Sequence, residues 1–177
     1  MSIFDRLKDS AQNDAVRSFT FSALPESLAQ MQALPEGVLT DPFQTAALTV
    51  CALCVYAADK NIGAQMLNWL RGPRPLSNYD ISFLNDRFRE GHQVPFSYFA
   101  GATPENDYTP DQPFRLTIEA GPYADANAGY KKLHIRSGGA DNPREIVLRK
   151  TAEGKWCLWD QFLLVGIRQS RSANPWA

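Results

Sequence analysis

The chain is poor in the residues that thiol and metal chemistry draw on: its 177 residues include three cysteines and two histidines. Cys51, Cys54 and Cys157 are too few, and odd in number, for the disulfide framework of a small secreted protein. Long apolar runs are missing too. The longest, Ala46 to Ala58, is broken by Thr49 and covers 13 residues, short of the roughly 20 that a membrane-crossing helix needs. A buried core helix is the expectation there. The opening MSIFDRLKDSAQND mixes charges into its apolar residues and has no uninterrupted apolar core of a secretion signal. A cytosolic protein is expected.

One-sided charge is absent as well. Lys and Arg number 18 and Asp and Glu 19, for a formal net charge of -1. A coat for nucleic acid or for an anionic membrane carries a positive excess, so this balance argues against both partners. With 44% apolar and 21% charged residues, collagen-like, coiled-coil and disordered classes are excluded. The length suits one domain with a hydrophobic core of its own. No internal repeat and no linker divides it.

What is present is helical periodicity in the first half and strand periodicity in the second. Ile3, Phe4 and Leu7 share one face of a short helix ending near Asn13, and Val16–Ser22 alternates as a single early strand. Pro25 suits the first turn of a helix carrying Leu28 and Met31. Asp41-Pro42 makes a strong helix start, because the Asp side chain accepts free N–H groups and Pro tolerates the first helical position. That helix runs through Tyr56 and is apolar nearly all round, which marks it as central. Further helices are expected from Asn61 to Leu70 and from Ser77 to Gly91, the latter with Ile81, Leu84 and Phe88 on one face.

From Val94 to Pro113 four prolines and a polar run predict a long structureless loop, a feature more often functional than average. Strand alternation follows at Phe114–Glu119, around Leu133 and Ile135, around Ile146 and Leu148, and at Trp156–Leu158, with Leu163–Arg168 as a possible fifth strand. The predicted fold is therefore α+β: an N-terminal helical layer (about 1–92) packed on a C-terminal antiparallel sheet of four to five strands (114–168). A loop (93–113) joins them and a tail (169–177) follows. Trp176, near the end of that tail, is expected to dock on its own domain or on a neighbouring subunit.

Catalytic patterns are scarce. Cys51-Ala52-Leu53-Cys54 has redox or half-zinc spacing, but inside an apolar helix burial raises thiol pKa values, and no second such pair occurs. Two core residues one turn apart is the plainer reading. His92 and His134 have no partner at metal spacing, and no G-x-S-x-G occurs. Neither a catalytic residue, a metal nor a cofactor is implied.

The most suggestive segment is Ser137-Gly138-Gly139-Ala140-Asp141-Asn142-Pro143-Arg144, flanked by Arg136. Its two glycines let successive N–H groups turn inward around an anion, and Arg136 and Arg144 supply charge. Arg136, Ser137, Gly138, Gly139, Asp141 and Arg144 are thus the candidate ligand-binding residues. A hairpin connection in which Asp-Asn-Pro fixes the turn is the plainer alternative. Charge is also split along the chain: 9 basic and 15 acidic residues up to residue 128, then 9 and 4 beyond it. If Lys132, Arg136 and Arg149 share the solvent face of the sheet, that face is basic. Phe114 and Trp156 fall on its apolar side by period, and Trp159 on either.

The stretches SYFAGATPENDYTP (Ser97–Pro110), LHIRSGGADNPREIVLR (Leu133–Arg149) and GKWCLWDQFLLVGIR (Gly154–Arg168), with DPFQTAALTVCALCVY and the final Asn174-Pro175-Trp176, resemble an uncharacterised family of bacterial proteins, a domain of unknown function. The likeness covers nearly the whole chain. It implies a bacterial, cytoplasmic protein and carries over no site residue. More loosely, helices ahead of a sheet ending in Glu153-Gly154-Lys155-Trp156 are similar to the cone-shaped folds of the nuclear transport factor type.

The function expected from these readings is a non-catalytic binding domain recognising another protein or a small anion. The competing expectation is an enzyme or ligand carrier with a pocket between helices and sheet. Nucleic-acid binding by the basic sheet face ranks third.

Overall fold

The computed structural model describes Ile3 and residues 15–177. The helix expected up to Asn13 falls, Ile3 apart, outside the described residues. Val16–Phe21 forms β1. Helix α1 is shorter than expected, Leu28–Ala33, because Ser27 and not Pro25 starts it: the Ser27 hydroxyl accepts from Gln30 N at 3.1 Å.

Helix α2, Pro42–Ala58, begins where Asp41-Pro42 predicts. Asp41 Oδ1 accepts from Phe43 N at 2.9 Å, and Gln44 Oε1 accepts from Asp41 N at 3.2 Å, so two orphan donors are satisfied reciprocally. Every residue from Thr45 to Cys54 is buried. The two threonines in that run are satisfied, Thr45 donating to Trp156 O at 2.7 Å and Thr49 to Thr45 O at 2.8 Å. Asp59 then ends α2 and caps α3, Lys60–Arg71, accepting from Asn61 N and Ile62 N at 3.0 and 3.1 Å. Gly63 lets the two helices meet, since a Cβ there would sit 2.3 Å from Tyr56 Cα. Helix α4, Asn78–Gly91, opens on the Ser77/Asp80 pair and buries Leu84 and Phe88, while Ile81 stays exposed.

The sheet adds β2 (Phe114–Glu119), β3 (Tyr130–Ile135), β4 (Arg144–Lys150) and β5 (Trp156–Gln161). Its order is β1-β2-β3-β4-β5 and every pairing is antiparallel. Leu116, Ile118, Leu133, Ile135, Ile146, Leu148 and Leu158 are buried on one face, against α2 and its neighbours. The α+β architecture matches the expectation, with one exchange of strands. The fifth strand is the early one, β1, paired with β2 from Val16↔Glu119 to Phe21↔Phe114. Leu163–Arg168 is a turn segment instead. Leu163 and Leu164 are both buried, which breaks strand alternation, and Arg144 takes the carbonyls of Val165 and Gly166 at 2.7 Å each.

The 94–113 connection is built rather than structureless. It contains 3-10 turns at Val94–Tyr98 and Pro104–Asn106. Asn106 ties it together, donating to Gly101 O and Thr109 O and accepting from Thr103 N and Thr109 N. Tyr98 and Tyr108 donate to Leu163 O and Arg168 O, fastening the connection to the chain beyond β5. Among the described residues no helix is long and apolar enough to cross a membrane. Trp176 is 92% exposed, so it does not dock on its own chain.

Candidate binding face

The helices cover one side of the sheet; the alternating residues point away from them. Across that open face run Ser18 and Thr20, then Arg115, Thr117 and Glu119, then Tyr130, Lys132, His134 and Arg136, then Glu145, Val147 and Arg149, and last Trp159 and Asp160. Lys132, Arg136 and Arg149 do share this face. Phe114 and Trp156 pack on the core side. A bulge decides the position of Trp159: Leu158 pairs with Leu148 and Asp160 with Val147, so Trp159 is the extra residue and stands on the open face beside Tyr130.

Acidic residues offset part of the charge. Arg136 Nε lies 3.4 Å from Glu119, and Lys132 Nζ and His134 Nε2 each lie 3.9 Å from Glu145. Arg115 is exposed and has no carboxylate partner among the described residues. It joins Arg136, Ser18 and Thr117 around a cavity of about 530 Å³ whose inner wall includes Ser137 and Gly138.

The six residues singled out in sequence therefore separate into two groups. Arg136, Ser137 and Gly138 line that cavity. Gly139, Asp141 and Arg144 turn toward the 162–168 segment: Gly139 O accepts from Arg168 N at 2.9 Å, Asp141 pairs with Arg168 at 3.1 Å, and Arg144 spends all three guanidinium nitrogens on the carbonyls of Asn142, Val165 and Gly166. The N–H groups of both glycines have acceptors within the chain. Gly138 N donates to Ser97 O at 2.8 Å, Gly139 N to Ser137 Oγ at 3.1 Å, and Ser137 Oγ meets Ser97 Oγ at 2.7 Å. Close packing also accounts for the glycines, since a Cβ would lie 2.0 Å from Ala102 O at 138 and 2.0 Å from the Tyr108 hydroxyl at 139.

Arg115 escaped the sequence reading, although its alternation with Phe114 and Leu116 carries the signal; its closeness to Arg136 depends on the β2–β3 register. The Tyr130–Trp159 pair depends on the bulge, which nothing in the sequence marks. Burial pushes the Cys51 thiol far above its usual range, with the charge of Glu36 adding to it, and burial raises Cys54 likewise. Among the described residues no group of three or more His, Cys, Asp and Glu side chains is placed to hold a metal ion. A separate groove of about 250 Å³ opens between α3, α4 and the end of β5. Leu53, Leu67, Leu84 and Leu158 line it, and Tyr79 and Phe162 are exposed beside it.

A helical layer on one side of an antiparallel meander, with a basic open face, defines an α+β domain with a bare sheet surface. The family model described as "Domain of unknown function (DUF6935)" matches residues 23–171, and the chain belongs to that family. Comparisons with curated proteins and with solved structures gave no match. The looser likeness to the nuclear transport factor type gains nothing from them.

Proposed function

We propose that the chain is a non-catalytic binding domain whose open sheet face receives an acidic protein segment. The observation that carries this reading is the uncovered face itself, where Arg115, Lys132, His134, Arg136 and Arg149 stand among Glu119, Glu145 and Asp160. An extended acidic segment places carboxylates at the spacing of side chains across strands, and Arg forks bind them two atoms at a time. Arg115 and Arg136 are the anchors, as they share a cavity rimmed by the Ser18 and Thr117 hydroxyls. Three cysteines without a disulfide, together with the family resemblance, support a bacterial cytosol as the setting.

Fluorescence anisotropy of a labelled peptide rich in Asp and Glu tests this. Binding is expected to weaken steeply as salt rises, and the double variant Arg115→Glu/Arg136→Glu is expected to lose at least tenfold in affinity (about 1.4 kcal/mol). Equal affinity of the double variant and the parent would contradict the reading. A second reading, a carrier of a small apolar ligand, is favoured by the leucine-lined groove beside α4. It predicts that an apolar fluorophore is taken up there and is displaced by Leu84→Trp.

A further inference from the structure

At the other end of the sheet from Arg115, a second cavity of about 510 Å³ lies between the end of β4, the bulge of β5 and the turn after α3. Gly72 ends α3 with a φ of +62°, and a Cβ there would sit 2.7 Å from Cys157 Sγ, so this turn runs close against β5. Arg71 Nε donates to Arg74 O at 2.9 Å, and Arg74 in turn donates to the Trp159 carbonyl. The turn thus delivers Arg74 to the cavity that Arg71, Arg149 and Lys150 also line.

No Asp or Glu is among the lining residues. Arg71 is matched from behind by Asp80 at 3.3 Å. Arg74 and Arg149 form no ion pair with a carboxylate among the described residues, and Lys150 stands on the opposite face, over the Trp156 ring. Trp159 holds both guanidiniums: its ring centroid lies 3.9 Å from Arg74 Cζ and 4.7 Å from Arg149 Cζ, and Tyr130 meets the ring edge-on at 5.5 Å. A stacked guanidinium uses its flat face on the indole and keeps N–H edges free for an oxyanion. Two guanidiniums on one indole repel each other. Asp80, which acts on Arg74 as on Arg71, and Asp160, which acts on Arg71, offset part of that charge, and an oxyanion between the guanidiniums completes the set.

We propose that this cavity binds a small molecule bearing a phosphate or pyrophosphate group, with Arg74 and Arg149 on its oxygens and Trp159 as the positioning residue for both guanidiniums. The volume fits one such molecule. The site is separate from the Arg115–Arg136 anchors and stands whether or not an acidic segment binds there.

Calorimetric titration of the full chain with pyrophosphate tests it, beside a ¹⁹F spectrum of 5-fluorotryptophan protein in which Trp159→Phe assigns the Trp159 signal. Saturable binding is expected, with the Trp159 signal moving while those of Trp69 and Trp176 stay. Arg149→Gln should weaken it at least tenfold, and Arg115→Glu/Arg136→Glu should leave it within twofold. Absent binding, a stationary Trp159 signal, unchanged affinity in Arg149→Gln, or loss confined to Arg115→Glu/Arg136→Glu would each overturn the proposal.

Discussion

Gly63 and Asp80 show how single side chains set this fold. A methyl at 63 has no room, as it would meet the Tyr56 backbone of α2 and force α2 and α3 apart. Gly63→Ala is therefore expected to destabilise by about 3 kcal/mol, the upper range for overpacking, measured by urea unfolding. An unchanged midpoint would contradict the close crossing. Burial raises the Asp80 pKa, but hydrogen bonds from Ser77 and the charges of Arg71 and Arg74 outweigh it, and the net shift is downward. A lowered folded pKa stabilises fully above the usual carboxylate range, and that contribution fades as the pH falls through the folded value. Asp80→Asn should accordingly be less stable than the parent at neutral pH, with the gap closing as the pH falls below the usual carboxylate range. A gap that widens in acid would refute the assignment. The caps at Asp41 and Ser77 were readable from residue type and spacing alone. Gly63 was not, because its role depends on a helix crossing that no local pattern encodes.

Among the elements, α2 is the one the others gather around. Its burial on all sides makes Cys51 and Cys54 core residues, and their raised pKa values remove the thiolate that reagents attack. With Ellman's reagent at most one thiol per native chain, Cys157, is expected to react, and all three after unfolding; early reaction of a second thiol would place α2 wrongly. Leu48→Ala, at a fully buried position, should cost about 2–5 kcal/mol. Helices with caps and strands with clean alternation were legible. The fifth strand was misplaced because Leu163 and Leu164 look like strand material, whereas their neighbours' carbonyls are claimed by Arg144. The 94–113 connection read as loose because the two tyrosines fasten it through contacts distant in sequence, while the Asn106 bonds, though local, form no regular element.

For the whole molecule, the division of labour follows from one sheet with one covered side. The covered side meets the helices through an apolar core, and the open side gathers the positive charge that the sequence concentrates beyond residue 128. The basic character of that face was foreseeable from alternation. Its two centres, Arg115 with Arg136 and Trp159 with Arg74 and Arg149, arise from strand register, a bulge and a turn, which only the folded chain brings together. Amide chemical-shift mapping during titration with the Asp- and Glu-rich peptide tests the account most directly. Shifts are expected to be confined to open-face residues, foremost Arg115, Thr117 and Arg136, and to fade with salt. Shifts centred on the α3–α4 side, or none at low salt, would contradict it.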